Sequence, residues 1–507
     1  MKKVLIYVVH EDYMAYEEAV EKSNEGYDVY FVTCDCSVGI CGFHNPYGCR
    51  SICKLCNNSM KAHIVALCKC DPKRYHCVTV SSLVTSEMKR KANAMVFDYK
   101  DTQSLKDYEY KGVEIGYGAF STFVTVTRNV MPTYNDSLKN YLDYLMKSEV
   151  ILTEALMKYV EKLQPDLIVY HNGRMSNYKP IRCIAKNLGI EYIATERIIK
   201  NGVCFENNFI NDIPHSFEAM TQKMELIWER SGDKKYTVAK NFFENRYHAR
   251  PAGDKVYVKD QILGELPEGF DPSKRNISIF NSSEDEYCSI SKDFDNACLY
   301  PNQYVALKTI FEHYKDNHDI HFYLRIHPNL ADVPYRSHTA LYGLKYDNVT
   351  IIPPKSSISS YTLMENSEKV IVFNSTMGME SSYWGKAVIA LNRCFYYKQD
   401  IVYQPKDEES LFNMIDNPSL PHIERPIENW YKPAFYCMGN QATSLKYFPC
   451  REKKYIVPFT NIAGHIITTQ KLLGSNFLYM ITYKCLKYLS MYGLGGKFSG
   501  KILEQTK

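Results

Sequence analysis

Apolar runs and amphipathic segments alternate through the first 200 residues of the chain. A short apolar run predicts a buried strand over residues 3–9, followed by an amphipathic helix near 13–24 and a strand over 28–33. The alternation resumes with a long helix near 134–163, a strand over 167–171, a helix near 178–188 and a strand over 191–195. A loop is predicted over residues 116–121. This series indicates a doubly wound parallel sheet.

A second alternating series follows a stretch of turn-forming residues. Residues 250–275 contain three prolines and three glycines, so we predict a domain boundary there. The strands predicted beyond it cover residues 276–280, 320–326, 349–352, 369–373 and 387–391. Helices are predicted near 301–316, from Ser360 and from about Met377. The expected fold class is α/β, with Rossmann-like domains at 1–260 and 270–435.

Composition excludes several classes of protein. Of the 507 residues, 45% are hydrophobic and 23% are charged, which does not fit a disordered chain or a small disulfide-rich scaffold. The 61 basic and 57 acidic side chains give a net charge of +4, so bulk electrostatics do not indicate a nucleic-acid partner. No segment offers about 18 consecutive apolar residues, so we expect a cytoplasmic protein with reduced thiols and no membrane span.

Polar motifs end two strands of the second series. His327 follows the strand over 320–326, and Ser375 and Thr376 lead from the strand over 369–373 into a helix. Open α/β sheets bind ligands at the carboxyl ends of their strands, and N–H groups that open a helix favour phosphate. Glu380 lies about one helical turn further on, where its carboxylate suits a ribose. Taken singly, the motifs also suit an ordinary turn and an ordinary helix cap.

The order of these motifs resembles that of bacterial capsule and O-antigen polysaccharide glycosyltransferases, and it is similar to the donor-phosphate motifs of bacterial sialyl- and Kdo-transferases. The residues that carry the resemblance are Arg325 to Asn329, Tyr361 to Met364, Asn374 to Lys386 and the element from Phe280 to Glu286. The resemblance implies the GT-B architecture, in which two Rossmann-like domains face each other. The donor-binding residues that it implies are Ser283, Arg325, His327, Asn374, Ser375, Thr376, Gly378 and Glu380.

A further polar motif, over residues 170–174, ends a strand of the first domain and looks like the Asn-Gly-Arg element of the same families. Its Asn-Gly pair predicts a tight turn that leaves His171 and Arg174 to face the ligand. An inverting transferase needs a base that takes the proton of the acceptor hydroxyl. The candidate bases are Glu196, His171 and Asp285, and the candidate acceptor-binding residues are Arg174 and Asn172. Glu196 also suits a structural ion pair with Arg197.

Cysteines are concentrated in one region, since nine of the 17 lie within residues 34–77. Their spacing is dense enough for a structural zinc or an iron–sulfur cluster. The candidate ligands are Cys41, Cys49, Cys53 and Cys56. The alternative is a set of reduced thiols in a Cys-rich loop. Transfer itself is expected to need no cofactor, because the Asp293–Asp295 pair, although it has the spacing of a metal-binding Asp-x-Asp, lies well past its strand end.

The basic residues are concentrated at the C-terminus. The last 57 residues carry nine Lys or Arg against two Asp or Glu, which leaves about −3 for residues 1–450. Residues 477–494 place apolar and aromatic residues at helical spacing, so we predict a basic amphipathic helical tail over 451–507. This tail suits the inner face of an anionic plasma membrane, as a peripheral contact, and it equally suits packing against the first domain.

These features together predict a glycosyltransferase. The second domain would bind a nucleotide-sugar donor, and the first would bind a lipid-linked or polysaccharide acceptor in capsule or lipopolysaccharide O-antigen synthesis. Three alternatives share some of the motifs or the setting: a nucleotide-sugar epimerase, a polyol-phosphate transferase and a non-catalytic capsule-assembly protein.

Overall fold

The computed structural model describes residues 2–35, 37, 40–42, 45–196, 198–200, 203–250, 252, 261–439, 443–448, 484–489, 491–492 and 497–498. For residues 55, 58, 59, 199 and 200 only the backbone is described. The chain divides into two compact units. The first unit comprises Met1–Pro214, Cys288–Ser291 and Ala442–Lys507, and the second comprises His215–Tyr287 and Lys292–Gln441.

The first unit is built on a six-stranded sheet with the order β3-β2-β1-β4-β5-β8. Its strands are β1 (Lys3–Val8), β2 (Asp28–Thr33), β3 (Tyr75–Thr79), β4 (Leu167–His171), β5 (Glu191–Thr195), β6 (Ile198–Lys200), β7 (Val203–Phe205) and β8 (Asn208–Ile210). Its helices are α1 (Tyr13–Asn24), α2 (Arg50–Cys70), α3 (Val80–Leu83), α4 (Ser86–Ala94), α5 (Thr102–Lys106), α6 (Ile115–Thr127), α7 (Asp136–Leu163) and α8 (Lys179–Leu188). Only β8 runs antiparallel to its neighbour in this sheet, and β6 and β7 form a separate antiparallel pair.

The second unit is built on a five-stranded parallel sheet with the order β11-β10-β9-β12-β13. Its strands are β9 (Arg275–Phe280), β10 (Ile320–Arg325), β11 (Val349–Ile352), β12 (Lys369–Val372) and β13 (Ala387–Ala390). Its helices are α9 (Phe217–Arg230), α10 (Lys234–Tyr247), α11 (Lys292–Asp295), α12 (Gln303–Tyr314), α13 (Arg336–Thr339), α14 (Ser360–Glu365), α15 (Met377–Tyr383), α16 (Glu408–Asp416) and α17 (Glu428–Met438). The predicted α/β class with two Rossmann-like domains is confirmed.

The second unit begins at His215, 35 residues before the predicted boundary stretch of 250–275, part of which lies outside the described residues. The reason is the packing of α9 and α10 beside α17. Trp228 and Phe242 on these helices belong to the same buried apolar cluster as Val370 of β12. Their apolar faces are therefore buried by the second sheet, which assigns residues 215–250 to the second unit rather than to a domain ending at 260.

Two segments predicted as loops are largely helical. Within the Cys-rich segment, α2 buries Met60, Ile64 and Leu67 in the apolar core of the first sheet, so the loop prediction for residues 34–77 was wrong over Arg50–Cys70. Residues 116–121 lie inside α6, whose side chains are almost all buried. The glycines of that segment suggested a turn, but Gly118 instead admits a neighbouring side chain, since a Cβ there would collide with the carboxylate of Glu149.

The predicted C-terminal tail lies mostly outside the described residues. Within the described part, residues 484–489 are helical, and Met491 and Phe498 pack against a buried cluster of the first unit. The Phe498 ring lies 5.2 Å from that of Tyr141, and its N–H donates to the carbonyl of Tyr47. These contacts favour packing on the first unit over the membrane alternative for that stretch. No helix among the described residues is long and apolar enough to cross a membrane.

Glu149 of α7 is a fully buried carboxylic acid, and neither of its oxygens has a hydrogen-bond partner among the described residues. Burial raises the pKa of Glu149 well above its usual value of 4.5. As the pH rises, Glu149 ionises in the unfolded chain before it ionises in the folded protein. Its contribution to the free energy of unfolding is therefore fully present below about pH 4.5 and is lost as the pH rises above that value. We expect Glu149→Gln to be more stable than the original protein by an amount that grows between pH 5 and pH 8 and reaches about 1 kcal/mol or more. The melting temperatures of the two proteins, measured across this pH range, check the difference.

Glu154, on the same helix, provides a control because its pKa is shifted in the opposite direction. Its carboxylate contacts Lys91, Lys111 and the hydroxyl of Tyr110. Although partial burial opposes the shift, these partners lower the pKa of Glu154 to about 2. Its stabilisation is present above about pH 4.5 and is lost as the pH falls toward 2. Glu154→Gln should therefore lower the melting temperature at pH 7. A Glu149→Gln difference that does not vary with pH would contradict the buried-acid interpretation.

Candidate functional site

An open cavity, whose volume of about 530 Å³ includes solvent space at its mouth, lies in the second unit at the carboxyl ends of its strands. Phe280 and Asn281 reach it from the end of β9, Arg325 and His327 from the end of β10, and the turn into α15 closes it. This is the edge at which open parallel sheets bind ligands. Five of the predicted donor-binding residues line this cavity, namely Arg325, His327, Ser375, Thr376 and Glu380.

Arg325 provides a buried positive charge in this cavity. Its residue is only 3% exposed, and its two terminal nitrogens donate to the carbonyls of Pro353 and Ser356 at 2.7 and 3.0 Å. Among the described residues, its Nε has no hydrogen-bond partner and no carboxylate forms an ion pair with it. Burial lowers the pKa of the Arg325 guanidinium to about 10, which still leaves it charged at neutral pH. A buried cation of this kind favours an anionic ligand.

Glu380 is fully buried in the cavity wall and has two partners on one of its oxygens. Arg246 of α10 donates from Nε to its Oε2 at 3.2 Å, and the hydroxyl of Tyr361 donates to the same oxygen. Burial, followed by the charge of Glu380, raises the pKa of Tyr361 well above its usual value, so this hydroxyl stays a donor. The other oxygen, Oε1, has no partner among the described residues. It is an acceptor suited to a ligand hydroxyl.

His327 is held in one orientation by two backbone contacts. Its own N–H donates to Oδ1 of Asn281 at 2.7 Å, and its ring Nδ1 accepts the N–H of Asn329 at 3.1 Å. Because Nδ1 is an acceptor here, the neutral ring carries its proton on Nε2. That tautomer offers an N–H to a phosphate oxygen.

The Ser-Thr pair lines the same cavity at the entrance to α15. The hydroxyl of Ser375 accepts the N–H of Met377, the first residue of α15, at 3.2 Å. Oγ1 of Thr376 accepts from Arg246 at 3.3 Å, so this arginine joins the pair to Glu380. Because α15 is only seven residues long, its dipole is small, and the polar groups at this end of the cavity are mainly side chains.

Three predicted donor residues do not line the cavity. The amide of Asn374 donates to the carbonyl of Arg393 and accepts from Asn392, which fixes the loop after β13. Gly378 is buried where a Cβ would collide with the Tyr396 hydroxyl, so its role there is close packing. Ser283 is buried at the start of a 3-10 turn over Glu284–Glu286.

Sequence reasoning missed several residues that line the cavity, namely Arg246, Gln261, Asn281 and Tyr361. Arg246 and Gln261 precede the second sheet in sequence, and Gln261 Oε1 accepts the N–H of Ser360 at 2.8 Å. Neither residue belongs to a strand-end motif, so the pattern of strands contained no signal for them. Asn281 and Tyr361 fall inside motifs that were recognised, but they were given no role.

The candidate acceptor motif forms the predicted tight turn in the first unit. Asn172 and Gly173 follow β4 with φ values of 57° and 89°, and a Cβ at Gly173 would lie 2.8 Å from the Tyr170 ring. Nδ2 of Asn172 donates to Oε2 of Glu196 at 2.5 Å. Glu196 is thus tied to the turn, whereas Arg197 lies outside the described residues. Arg174 donates to Oγ1 of Thr125 on α6 at 3.3 Å.

His171 is buried at the end of β4 with Asp12 beside it. Its Nδ1 lies 3.7 Å from Oδ2 of Asp12, and both residues are 4% exposed. Asp12 follows β1 and has no predicted role. Asp285, the third candidate base, lies in a partly exposed 3-10 turn of the second unit and does not line the cavity there.

The candidate cysteine ligands lie at and before the start of α2. Asn45 organises this region, because its side chain accepts the N–H of Cys49 at 2.7 Å and donates to Sγ of Cys53 at 2.8 Å. Within the described residues, no group of three or more His, Cys, Asp or Glu side chains is arranged to hold a metal ion. A zinc or iron–sulfur site at Cys41, Cys49, Cys53 and Cys56 stays a prediction that elemental analysis would check. Asp293 and Asp295 lie in the short helix α11.

No protein-family model and no curated protein matches the sequence. Solved structures that match include the KpsC beta Kdo 2,4 transferase of Thermosulfurimonas dismutans, at 14% identity over 60% of this chain and 87% of that chain, with a TM-score of 0.31. The beta Kdo 2,7 transferase of the same KpsC matches at 12% identity over 61% of this chain and 89% of that chain, with a TM-score of 0.32. A putative UDP-N-acetylglucosamine 2-epimerase from Listeria monocytogenes matches at 10% identity over 94% and 98% of the two chains, with a TM-score of 0.26. Values this low assign no activity to the chain.

Proposed function

We propose that the protein is a glycosyltransferase that takes its sugar from a nucleotide-sugar donor bound in the cavity of the second unit. The proposal rests on a buried donor and a buried acceptor that line the same cavity and have no hydrogen-bond partner among the described residues. They are the Nε of Arg325 and the Oε1 of Glu380. A phosphate and a ribose hydroxyl supply the matching partners. His327, with its proton on Nε2, would donate to the leaving phosphate oxygen.

The acceptor is assigned to the first unit, on its turn at Asn172 and its buried His171. The motifs of both units resemble those of capsule and O-antigen transferases, so we propose a lipid-linked or polysaccharide acceptor of that class. No cofactor is assigned to transfer. In this interpretation the cavity's own donors stabilise the charge that develops on the leaving phosphate, and loss of one such donor costs about 3–4 kcal/mol.

The nucleotide is tested by thermal denaturation with CMP, UDP, GDP and CDP. One of them, at about 100 times its Kd, should stabilise the protein by about 2.7 kcal/mol, which corresponds to several degrees for a unit of this size. No shift with any of the four would contradict the donor site.

Activity is tested with the matching nucleotide sugar and a capsule-type acceptor. His327→Ala should lower nucleotide release by about 100-fold or more, whereas the exposed His318→Ala of the same unit should release it normally. An epimerase would convert the donor without any acceptor. An assembly protein would neither release nor bind nucleotide.

A further inference from the structure

The chain over residues 353–361 connects the two parts of the cavity to which the proposed function assigns phosphate and ribose. Near its beginning, the carbonyls of Pro353 and Ser356 accept from Arg325, and at its end the hydroxyl of Tyr361 donates to Glu380. In a nucleotide the base is attached directly to the ribose. A residue that contacts the base is therefore expected beside Tyr361, among the residues that line the cavity.

The side-chain amide of Gln261 is held at this place. Ser360 precedes Tyr361 in the chain, and Ser360 and Gln261 both line the cavity. Oε1 of Gln261 accepts the N–H of Ser360 at 2.8 Å. Because a backbone N–H can only donate, this contact fixes which end of the amide is oxygen and which is nitrogen. Among the described residues, Nε2 of Gln261 has no hydrogen-bond partner, so the group that the amide offers to a ligand is a donor.

The backbone that follows Gln261 is tied to the same part of the chain. The N–H of Ile262 donates to the carbonyl of Ser357 at 2.8 Å, and the N–H of Gly264 donates to Oγ1 of Thr362 at 2.8 Å. The amide and its backbone are thus both held before a ligand arrives. Little conformational entropy is then lost when the donor is used, which suits a group that selects a ligand.

We propose that Gln261 recognises the nucleobase: its Nε2 donates an N–H to an acceptor atom of the base, which is a ring nitrogen or a carbonyl oxygen. This inference rests on the proposed function, because it requires phosphate at Arg325 and ribose at Glu380. A base that presents an N–H at this place would leave two donors facing each other and would lose a hydrogen bond. Gln261 is thus a specificity-determining residue for nucleotides. It does not act on ribose 5-phosphate, which has the same sugar and phosphate but no base.

Gln261→Glu separates the free donor from the contact with Ser360. The carboxylate keeps an oxygen for the N–H of Ser360 and replaces the donor with a second acceptor, which opposes an acceptor atom of the base. The probes are CMP, UMP, GMP and ribose 5-phosphate, measured by isothermal titration calorimetry. We expect the Kd of the tightest-binding nucleotide to rise by about 10-fold or more in Gln261→Glu, while the Kd of ribose 5-phosphate stays within about twofold.

Gln261→Leu provides an uncharged control, because it removes both the donor and the contact with Ser360. Its nucleotide Kd should also rise by about 10-fold or more. If Gln261 only anchored the backbone, Gln261→Glu would bind nucleotides normally and Gln261→Leu alone would bind them weakly. If the new charge of Gln261→Glu only repelled the phosphate, ribose 5-phosphate would be weakened as much as the nucleotide. Either result would overturn the proposal.

The original protein distinguishes failure of this inference from failure of the proposed function. It should bind at least one of the nucleotides more tightly than ribose 5-phosphate. Equal binding of ribose 5-phosphate and the nucleotides would refute base recognition and leave the donor cavity in place. Binding of none of the four compounds would contradict the proposed function itself, and with it this inference.

Discussion

Replacing Arg325 with methionine is expected to abolish the stabilisation of the protein by nucleotides. The guanidinium is buried beside His327, and its charge is not balanced by any described carboxylate. Charge-assisted contacts to phosphate are about twice as strong as neutral hydrogen bonds, and a buried arginine can make them in pairs. Without this cation, the cavity retains Arg246, whose charge is balanced by Glu380. We expect Kd to rise by about 100-fold or more in isothermal titration calorimetry.

The free protein should be affected much less than its complex. Burial lowers the pKa of Arg325 to about 10, which shows that the buried charge is unfavourable in the free protein. Removing that charge in Arg325→Met should therefore stabilise the free protein. The substitution also removes the donors to the carbonyls of Pro353 and Ser356, at about 1–3 kcal/mol for each carbonyl left unsatisfied. The two effects oppose each other, so the melting temperature should move far less than nucleotide affinity does.

Arg325→Lys serves as the matched control. Lysine keeps the charge, but its single ammonium group cannot reach both carbonyls and a phosphate in the fixed fork of an arginine. Its nucleotide affinity should lie between those of the original protein and Arg325→Met. If Arg325→Met bound nucleotide within threefold of the original Kd, the anion site would have to lie elsewhere.

All five strands of the second sheet and four of the six in the first could be predicted, because burial on both faces leaves an apolar run. The edge strands β3 and β8, which are only partly buried, were not predicted. The strand predicted at 167–171 has the observed bounds, and those predicted at 320–326 and 369–373 end one residue earlier in the structure. Because parallel strands finish at one edge, strand ends also brought His327 and Ser375 to the same cavity. Position along a strand is a local property, and local properties are what a single sequence reveals.

Residues that reach the sites from elsewhere could not be predicted in this way. Arg246 arrives on α10, a helix that lies about 80 residues before His327 in the chain. Asp12 had no predicted role, and the residue that it approaches, His171, lies about 160 positions further along the chain. Gly118 shows the converse, since a glycine typical of a loop proved to be the space that a buried Glu149 requires. Each of these depends on tertiary packing, which overrides local preference.

The ion pair between Arg246 and Glu380 should be the most sensitive point of the second unit to single substitution. Glu380 is fully buried, and Arg246 is its only cationic partner among the described residues. Arg246→Met would leave the carboxylate with the Tyr361 hydroxyl alone. Breaking a buried pair from one side costs about 3–5 kcal/mol. We expect that loss in urea-induced unfolding of the second unit, followed by a spectroscopic probe in that unit.

The double variant Arg246→Met/Glu380→Gln separates the unpaired charge from the lost packing. With both charges gone, the amide introduced at position 380 can still accept from Tyr361, so no ion is left buried. The double variant should recover about 2 kcal/mol or more of the loss caused by Arg246→Met, although each single variant destabilises. Strict additivity of the two single effects would show that the pair is not coupled. In that case Glu380 would not be held by Arg246, and its Oε1 would lose the fixed position that ribose binding requires.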